Sequence, residues 1–154
     1  MSSRLQTEIK QTKPFAKLEH EAILGLLRTA AMVDHAMDEM LRPYGLTGTQ
    51  FNVLRILRGA GQKGLCGREI GERMITRVPD VPRLLDRMEK AGLISRERDP
   101  EDRRHVTARI TPRGTQLVEA VGDAAASPVE RRFSRLQPEQ LQQLVETMDL
   151  IREG

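Results

Sequence analysis

The most constraining feature of this chain is the stretch 79–111, where a helical pattern passes through a glycine into two short alternating segments. Residues 79–91 are predicted to form a helix, because apolar residues recur there at three- and four-residue spacing. These apolar residues are Leu84, Leu85 and Met88. Gly92 then favours a left-handed helix end, and Leu93 can fold back against the last turn. The helix is therefore expected to end at this glycine.

Two prolines lie at the start of this predicted helix. Pro79 and Pro82 lack the amide hydrogen that an interior helical residue would donate. In the first turn of a helix that amide has no partner inside the helix, so proline is tolerated there. We therefore expect both prolines to lie in the first turn without interrupting the helix.

The residues after Gly92 are predicted to form a β-hairpin. Residues 93–98 form the first predicted strand and residues 105–111 the second, in which apolar and polar side chains alternate. The inward-facing residues of the second strand are Val106, Ala108 and Ile110. Residues 99–104, with the sequence DPEDRR, join the strands as a charged tip.

Three helical patterns precede this unit. Residues 17–41 carry apolar side chains at helical spacing and predict a long amphipathic helix. Residues 47–50, TGTQ, have the form of a capping box, which predicts a helix over residues 48–58. A short helix is expected near residues 67–74, with Cys66 where a capping Ser, Thr or Asp is usual.

Two further helical patterns follow the hairpin. Thr111 is expected to cap a helix that has Pro112 at its first position. This helix is expected to continue through residues 124–126 and to kink or end near Pro128. A last amphipathic helix follows Pro138.

The order helix, helix, helix and charged hairpin predicts a mainly α (α+β) fold, a winged helix-turn-helix with helices at both ends. The apolar stripes of the flanking helices exceed what a winged-helix core needs, which favours a two-fold homodimer. We expect a single protomer, residues 1–154, with a flexible arm at about 1–16, dimerisation helices at 17–45 and 112–152, and a winged-helix DNA-binding lobe at 46–111.

The distribution of charge and the shortage of aromatic residues indicate the kind of nucleic acid that would bind. Residues 1–113 hold 21 basic and 15 acidic residues, whereas residues 114–154 hold 4 and 7. Twenty of the 25 basic residues are arginine, whose planar guanidinium suits phosphate and guanine edges. With three Phe, one Tyr and no Trp, little is present to stack single-stranded bases. Double-stranded DNA is therefore the expected partner.

Other functional classes lack their signatures. The chain has no GxSxG, P-loop or HExxH motif, so we expect no enzyme activity. One cysteine and three scattered histidines give no metal-ligand spacing, so neither a metal nor another cofactor is expected. Neither a signal peptide nor a membrane-spanning run is present, which favours the cytoplasm and no membrane partner. The open alternative is a protein-docking winged helix without specific DNA binding, whose arginines meet an acidic protein surface.

The run LLDRMEKAGLISRERDPEDRRHVTARITPRGTQLVEAV, residues 84–121, closely resembles the recognition-helix and wing segment of the MarR family of bacterial transcription regulators. The flanking elements match in order, so the resemblance covers roughly residues 17–152. It implies a homodimeric DNA-binding repressor or regulator acting on a pseudo-palindromic operator. It also implies that DNA affinity responds to a small, frequently phenolic, ligand or to oxidation, as is common in that family.

Two groups of residues are expected to contact DNA directly. The N-terminal part of a recognition helix enters the major groove, so its readers are expected to be Thr76, Arg77, Asp80, Val81, Arg83 and Arg87. The wing contributes Asp102, Arg103 and Arg104, of which Asp102 and Arg104 match the family's wing signature. That match implies an arginine entering the minor groove, where the negative potential favours it. Residues 78–82 depart from the family, which commonly has Ser or Thr there, so the bases that are read stay open.

Several other arginines have two interpretations. Arg87 either contacts DNA or pairs with a nearby acid, namely Asp80, Asp86 or Glu89. Arginines on the two preceding helices either contact phosphates or are ordinary surface charges. They are Arg55, Arg58, Arg68 and Arg73.

The resemblance also suggests where an effector would bind, in a cleft between the dimer helices and the DNA-binding lobe. The residues expected there are Arg28, Met32, His35, Phe51 and Leu57. His35 would hydrogen-bond a carboxylate or phenol, although a packed interface histidine is the alternative. Cys66 is expected to be a packed residue in place of a Thr cap and not an oxidation sensor, because redox-sensing members of the family usually carry their cysteine near the N-terminal helix.

Overall fold

The computed structural model describes residues 3–123 and 127–154. The α-helices in these ranges are α1 (Arg4–Glu8), α2 (Leu18–Leu41), α3 (Gly48–Ala60), α4 (Gly67–Arg73), α5 (Val81–Lys90), α6 (Pro112–Asp123), α7 (Pro128–Phe133) and α8 (Pro138–Glu153). The strands are β1 (Leu65–Cys66), β2 (Ile94–Arg98) and β3 (Val106–Ile110), and short 3-10 turns follow α2 and α3. The element order is that of a winged helix-turn-helix flanked by helices, as predicted.

The predicted capping box starts α3. The Thr47 hydroxyl oxygen accepts a hydrogen bond from the Gln50 amide at 3.1 Å, and Gln50 Oε1 accepts one from the Thr47 amide at 3.1 Å. Two amides that the helix itself leaves without acceptors are thereby satisfied. This helix runs to Ala60, two residues beyond the expected end, and Gly61, with a φ of 61°, follows it as the C-cap.

The sheet has three antiparallel strands in the order β1-β3-β2, one more than the sequence predicts. The two expected strands are present and pair with Arg96 opposite Ala108. The additional strand β1 places Leu65 opposite the same Ala108. It comprises only two residues, too few to show a period-two pattern. It ties the helix-turn-helix unit to the middle of the second hairpin strand.

The junction between the sheet and α6 is tightly packed. The Thr111 hydroxyl accepts a hydrogen bond from the Gly114 amide at 3.1 Å and donates one to the Gly92 carbonyl at 2.6 Å. A methyl group at Gly114 would overlap the carbonyl oxygen of Leu93 and lie 2.8 Å from Ile110 Cγ1. Glycine is therefore required for the start of α6 to lie this close to the hairpin.

One hydrophobic core joins the C-terminal end of α2, helices α3 to α6 and the sheet. Its fully buried large side chains are Leu41, Val53, Leu54, Leu57, Ile70, Met88 and Ile94. Helix α5 contributes Leu85 and Met88 to this core, which orients its opposite face toward solvent. The core thus fixes which side of the recognition helix is available to a partner.

The segment expected as a loose arm contains helix α1. Ser3 caps this helix by accepting from the Gln6 amide, and Glu8 Oε2 lies 3.1 Å from Arg28 Nε on α2. Hydrogen bonds from Arg28 and Arg4 lower the pKa of Glu8. Five residues without apolar periodicity gave no signal for this helix in the sequence.

The C-terminal region also differs in detail from the expectation. Helix α6 is described to Asp123, and the predicted continuation through residues 124–126 lies outside the described residues. Pro128 opens helix α7, with Ser127 as its cap. The Ser127 hydroxyl accepts from the Glu130 amide at 3.0 Å, so this proline occupies a first turn and starts a helix.

Candidate nucleic-acid interface

The recognition helix α5 begins later than predicted. Asp80 is its N-cap, and Oδ1 of Asp80 accepts a hydrogen bond from the Arg83 amide at 3.0 Å. Pro82 lies in the first turn as expected, whereas the prediction that Pro79 does so is wrong, because the helix starts only after the cap. Asp80, predicted to read bases, therefore has one carboxylate oxygen engaged in holding the helix start.

The outward face of α5 carries two arginines. Arg83 and Arg87 are exposed and stand four residues apart, which places them on one side of the helix. Among the described residues neither has a carboxylate within ion-pair distance. The alternative in which Arg87 pairs with an acid on its own helix is not observed. Both guanidinium groups can meet an anionic ligand.

The acids of α5 are instead bound by Arg96, a residue on β2 that the sequence reasoning missed. Arg96 Nε and Nη2 lie 3.3 and 3.2 Å from the two carboxylate oxygens of Glu89, and Nη2 also contacts Asp86. The Arg96 side chain is 23% exposed. The hydrogen bond to Glu89 raises the pKa of Arg96, and burial opposes this effect. This cluster links the recognition helix to the wing.

The wing tip holds its arginines outward. The Arg104 amide donates to Asp102 Oδ1 at 3.0 Å, and Asp99 Oδ1 accepts from the Glu101 amide at 2.8 Å. Asp102 thus holds the backbone of the wing tip in place. The Arg104 side chain is 95% exposed, with its Nε 3.5 Å from Asp102. Arg103 beside it is exposed as well, so the tip presents two guanidinium groups.

The seven-residue loop between α4 and α5 holds the remaining predicted readers. Thr76 and Arg77 are exposed in this loop, while Val81 is partly buried at the start of α5. The loop is anchored to α3, because the Ile75 amide donates to Asn52 Oδ1 at 2.9 Å. Nothing in the local sequence indicates this long-range bond.

Of the four arginines expected to contact phosphate, three contact a neighbouring residue of this chain. Arg68 pairs with Glu72 at 3.0 Å on α4, and Arg73 donates to the Glu69 carbonyl at 3.1 Å. Arg55 on α3 is exposed. Arg58 lies 3.6 Å from Glu119 on α6, which favours the interpretation as a surface ion pair at that position.

The structure separates the residues expected at an effector site. Arg28, Met32 and His35 line one groove of about 650 Å³, together with Ile9, Leu24, Leu27, Ala31 and Arg132. Phe51 does not line it, and Leu57 is fully buried in the lobe core. The Leu57 side chain packs against the apolar core of the lobe, and its contact with a ligand stays a prediction.

Cys66 occupies the N-cap of α4 and is partly buried, in keeping with a packed residue. Its amide donates to Glu69 Oε2 at 2.9 Å. This bond lowers the pKa of Glu69. This contact is the reciprocal half of a capping box, in which the carboxylate at the third helical position accepts from the amide of the cap residue.

Neither a metal-ligand cluster nor a membrane-spanning helix occurs in the described ranges 3–123 and 127–154. No group of three or more His, Cys, Asp or Glu side chains there is arranged to hold a metal ion. None of the helices in the same ranges is long and apolar enough to cross a bilayer.

This chain is similar to transcription regulators of the helix-turn-helix type. The model of the MarR family matches residues 46–106. YkoM, an uncharacterized HTH-type transcriptional regulator of Bacillus subtilis (strain 168), is 30% identical over 135 residues, covering 85% of this chain and 86% of its own length. The crystal structure of a MarR transcription factor from Planctomyces limnophilus shares 33% identity, with a TM-score of 0.66, covering 89% of this chain and 99% of that one. The crystal structure of an S. aureus MepR-DNA complex shares 26% identity, with a TM-score of 0.71, covering 83% and 94%.

Proposed function

Because the chain belongs to the MarR family, we propose that it is a transcription regulator that binds a specific double-stranded DNA site as a homodimer and represses the adjacent gene. In this proposal the N-terminal part of α5 reads base edges in the major groove, and the wing reaches the neighbouring minor groove. The similar MepR was crystallised with DNA, which supports the assignment of the partner.

The observation that carries the proposal is the charge arrangement of α5. This helix contains two acids, but both are bound by Arg96, while Arg83 and Arg87 lack acidic partners among the described residues. The solvent-facing side of the helix therefore offers guanidinium donors that suit guanine edges and phosphates. The exposed Arg103 and Arg104 at the wing tip add two further guanidinium groups.

The uncovered apolar surface of the flanking helices supports the homodimer. Large apolar side chains are exposed on α2 at Leu18, Ile23, Leu26 and Leu27, and on α8 at Leu144, Val145, Leu150 and Ile151. An apolar surface of this extent on both flanking helices is typical of a protein interface. Two-fold pairing through it would present two recognition helices to two half-sites.

The experiment that tests the proposal is selection of binding sites from duplexes with a randomised centre. We expect enrichment of a pseudo-palindrome whose half-site centres lie about 10 base pairs, or ~34 Å, apart. Failure to enrich any sequence would contradict the proposal. Binding to an acidic protein surface without duplex binding would then favour the protein-docking alternative.

The same proposal includes release by a small-molecule effector in the groove that Arg28, Met32 and His35 line. A groove lined by apolar side chains, by Arg28, which pairs with Glu8, and by Arg132 suits a ligand with an apolar body and a carboxylate or phenolate. The ligand would shift the population toward a protomer spacing that does not fit DNA. A ligand that weakens DNA binding by the wild type but not by the variant Arg28→Ala would support this site.

A further inference from the structure

The recognition helix and the wing are joined by one side chain. Arg96 is the middle residue of β2, one of the two strands of the wing, and its guanidinium contacts both Glu89 and Asp86 of α5. Two parallel contacts to one carboxylate fix the plane of the guanidinium, which a single contact does not. Since the side chain is only 23% exposed, this cluster is also less screened than a fully exposed pair.

The opposite face of the same sheet provides a natural comparison. Arg109 on β3 lies 3.1 Å from Glu97, and its Nε donates to the Gln62 carbonyl at 2.7 Å. Arg96 stands opposite Ala108, and adjacent residues of a strand point to opposite faces, so Arg109 points away from α5. Both arginines form ion pairs with their surroundings, but only Arg96 reaches the recognition helix.

We propose that Arg96 is a positioning residue for DNA recognition, which holds the wing at a fixed position relative to the recognition helix. Arg83 on the helix and Arg104 on the wing can then contact DNA at the same time. The wing loses little conformational entropy on binding, because it is already held in place. Preorganisation of this kind raises affinity by lowering the entropy lost on binding. The inference rests on the proposed DNA-binding function and adds a role for a residue that does not itself contact DNA.

The test measures how much Arg104 contributes to DNA binding in the presence and absence of Arg96. Dissociation constants for a selected duplex would be measured by fluorescence anisotropy at fixed salt. The proteins are the wild type, Arg104→Ala, Arg96→Gln and the double variant. In the wild-type background we expect Arg104→Ala to weaken binding about tenfold. In the Arg96→Gln background the same change should weaken binding less than about threefold, because the wing is no longer held in place.

The matched control is Arg109→Gln. It removes the same charge from the same sheet and replaces it with the same side chain, but it leaves the link to α5 intact. Arg104→Ala should therefore retain its full effect in the Arg109→Gln background. If Arg104→Ala has the same effect in the Arg96→Gln background as in the wild type, the positioning role is contradicted.

A further variant distinguishes the positioning role of Arg96 from a role in neutralising the negative charges of Asp86 and Glu89. Asp86→Asn and Glu89→Gln, combined with Arg96→Gln, remove the acids that Arg96 neutralises. We expect the contribution of Arg104 to stay small in this variant, since the link is still absent. Restoration of the full contribution would assign Arg96 to charge masking and overturn the proposal.

Two further outcomes concern a variant that does not fold and a wild type that does not bind DNA. Should Arg96→Gln fail to fold by circular dichroism, Arg96→Lys keeps the charge but cannot make the paired contacts to Glu89, and it should give an intermediate contribution of Arg104. A full contribution in a folded Arg96→Lys variant would contradict the positioning role. Failure of the proposed function itself is distinguishable, because the wild type would then select no duplex at all.

Discussion

Oδ1 of Asp80 accepts a hydrogen bond from the backbone amide of Arg83 at 3.0 Å, and this contact sets where the recognition helix begins. An aspartate at this position satisfies an amide that the first turn leaves without an acceptor. It also places a negative charge at the positive end of the helix. The same bond positions the backbone of Arg83, one of the two exposed arginines on the face proposed to contact DNA.

Removal of this cap should destabilise the protein. We expect Asp80→Ala to lower the free energy of unfolding by about 1 kcal/mol, whereas Asp80→Ser, which retains a capping oxygen, should stay closer to the wild type. Urea denaturation followed by circular dichroism measures both. Equal stability of Asp80→Ala and the wild type would show that the cap does not stabilise α5.

The helix start also shows what sequence reasoning could and could not predict. The TGTQ capping box of α3 is a local pattern, and both of its bonds are present. Asp80 caps α5 by the same local chemistry, but two nearby prolines pointed to an earlier start. Strand β1 and the Arg96 cluster depend on residues distant in the sequence, so no periodicity indicates them. The exposed arginines of the helix and the wing tip were predictable from the sequence, whereas Arg96, which binds the acids of α5, was not.

The wing prediction concerns Arg104. We expect Arg104→Ala to weaken binding to the selected duplex by about 1–3 kcal/mol, because its exposed guanidinium would be lost from the minor groove. Anisotropy titration at fixed salt measures this change. The control Arg152→Ala removes the same charge from an exposed position on α8 and should alter binding far less. Equal effects of the two substitutions would indicate that only net charge matters.

The packing prediction concerns Gly114. A methyl group there would overlap the Leu93 carbonyl oxygen, so Gly114→Ala should cost about 1–3 kcal/mol of stability. Gly122 is a control on the same helix, since a methyl group there meets no atom within 4 Å among the described residues. Gly122→Ala should leave stability unchanged or raise it by up to about 1 kcal/mol. Thermal denaturation of both variants tests the contrast, which would be refuted by a Gly114→Ala protein as stable as Gly122→Ala.

The dimer prediction concerns the exposed apolar stripe of α8. Ile151→Asp places a charge in this stripe and should shift the mass in solution toward that of a single chain, 17.4 kDa. Gln142→Asp adds the same charge on the opposite side of the helix, nine residues away, and should leave the dimer intact. Light scattering after size exclusion measures the mass. A dimer that persists in Ile151→Asp would place the interface elsewhere.

The central claim is that this chain recognises a DNA sequence through the outward face of α5. The most direct measurement is the ratio of dissociation constants for the selected duplex and a scrambled duplex of the same composition, at one salt concentration. For the wild type we predict a preference of about a thousandfold or more for the selected duplex. The variant Arg83→Ala/Arg87→Ala, folded by circular dichroism, should lose most of that preference. Equal affinity of the wild type for both duplexes would contradict the account.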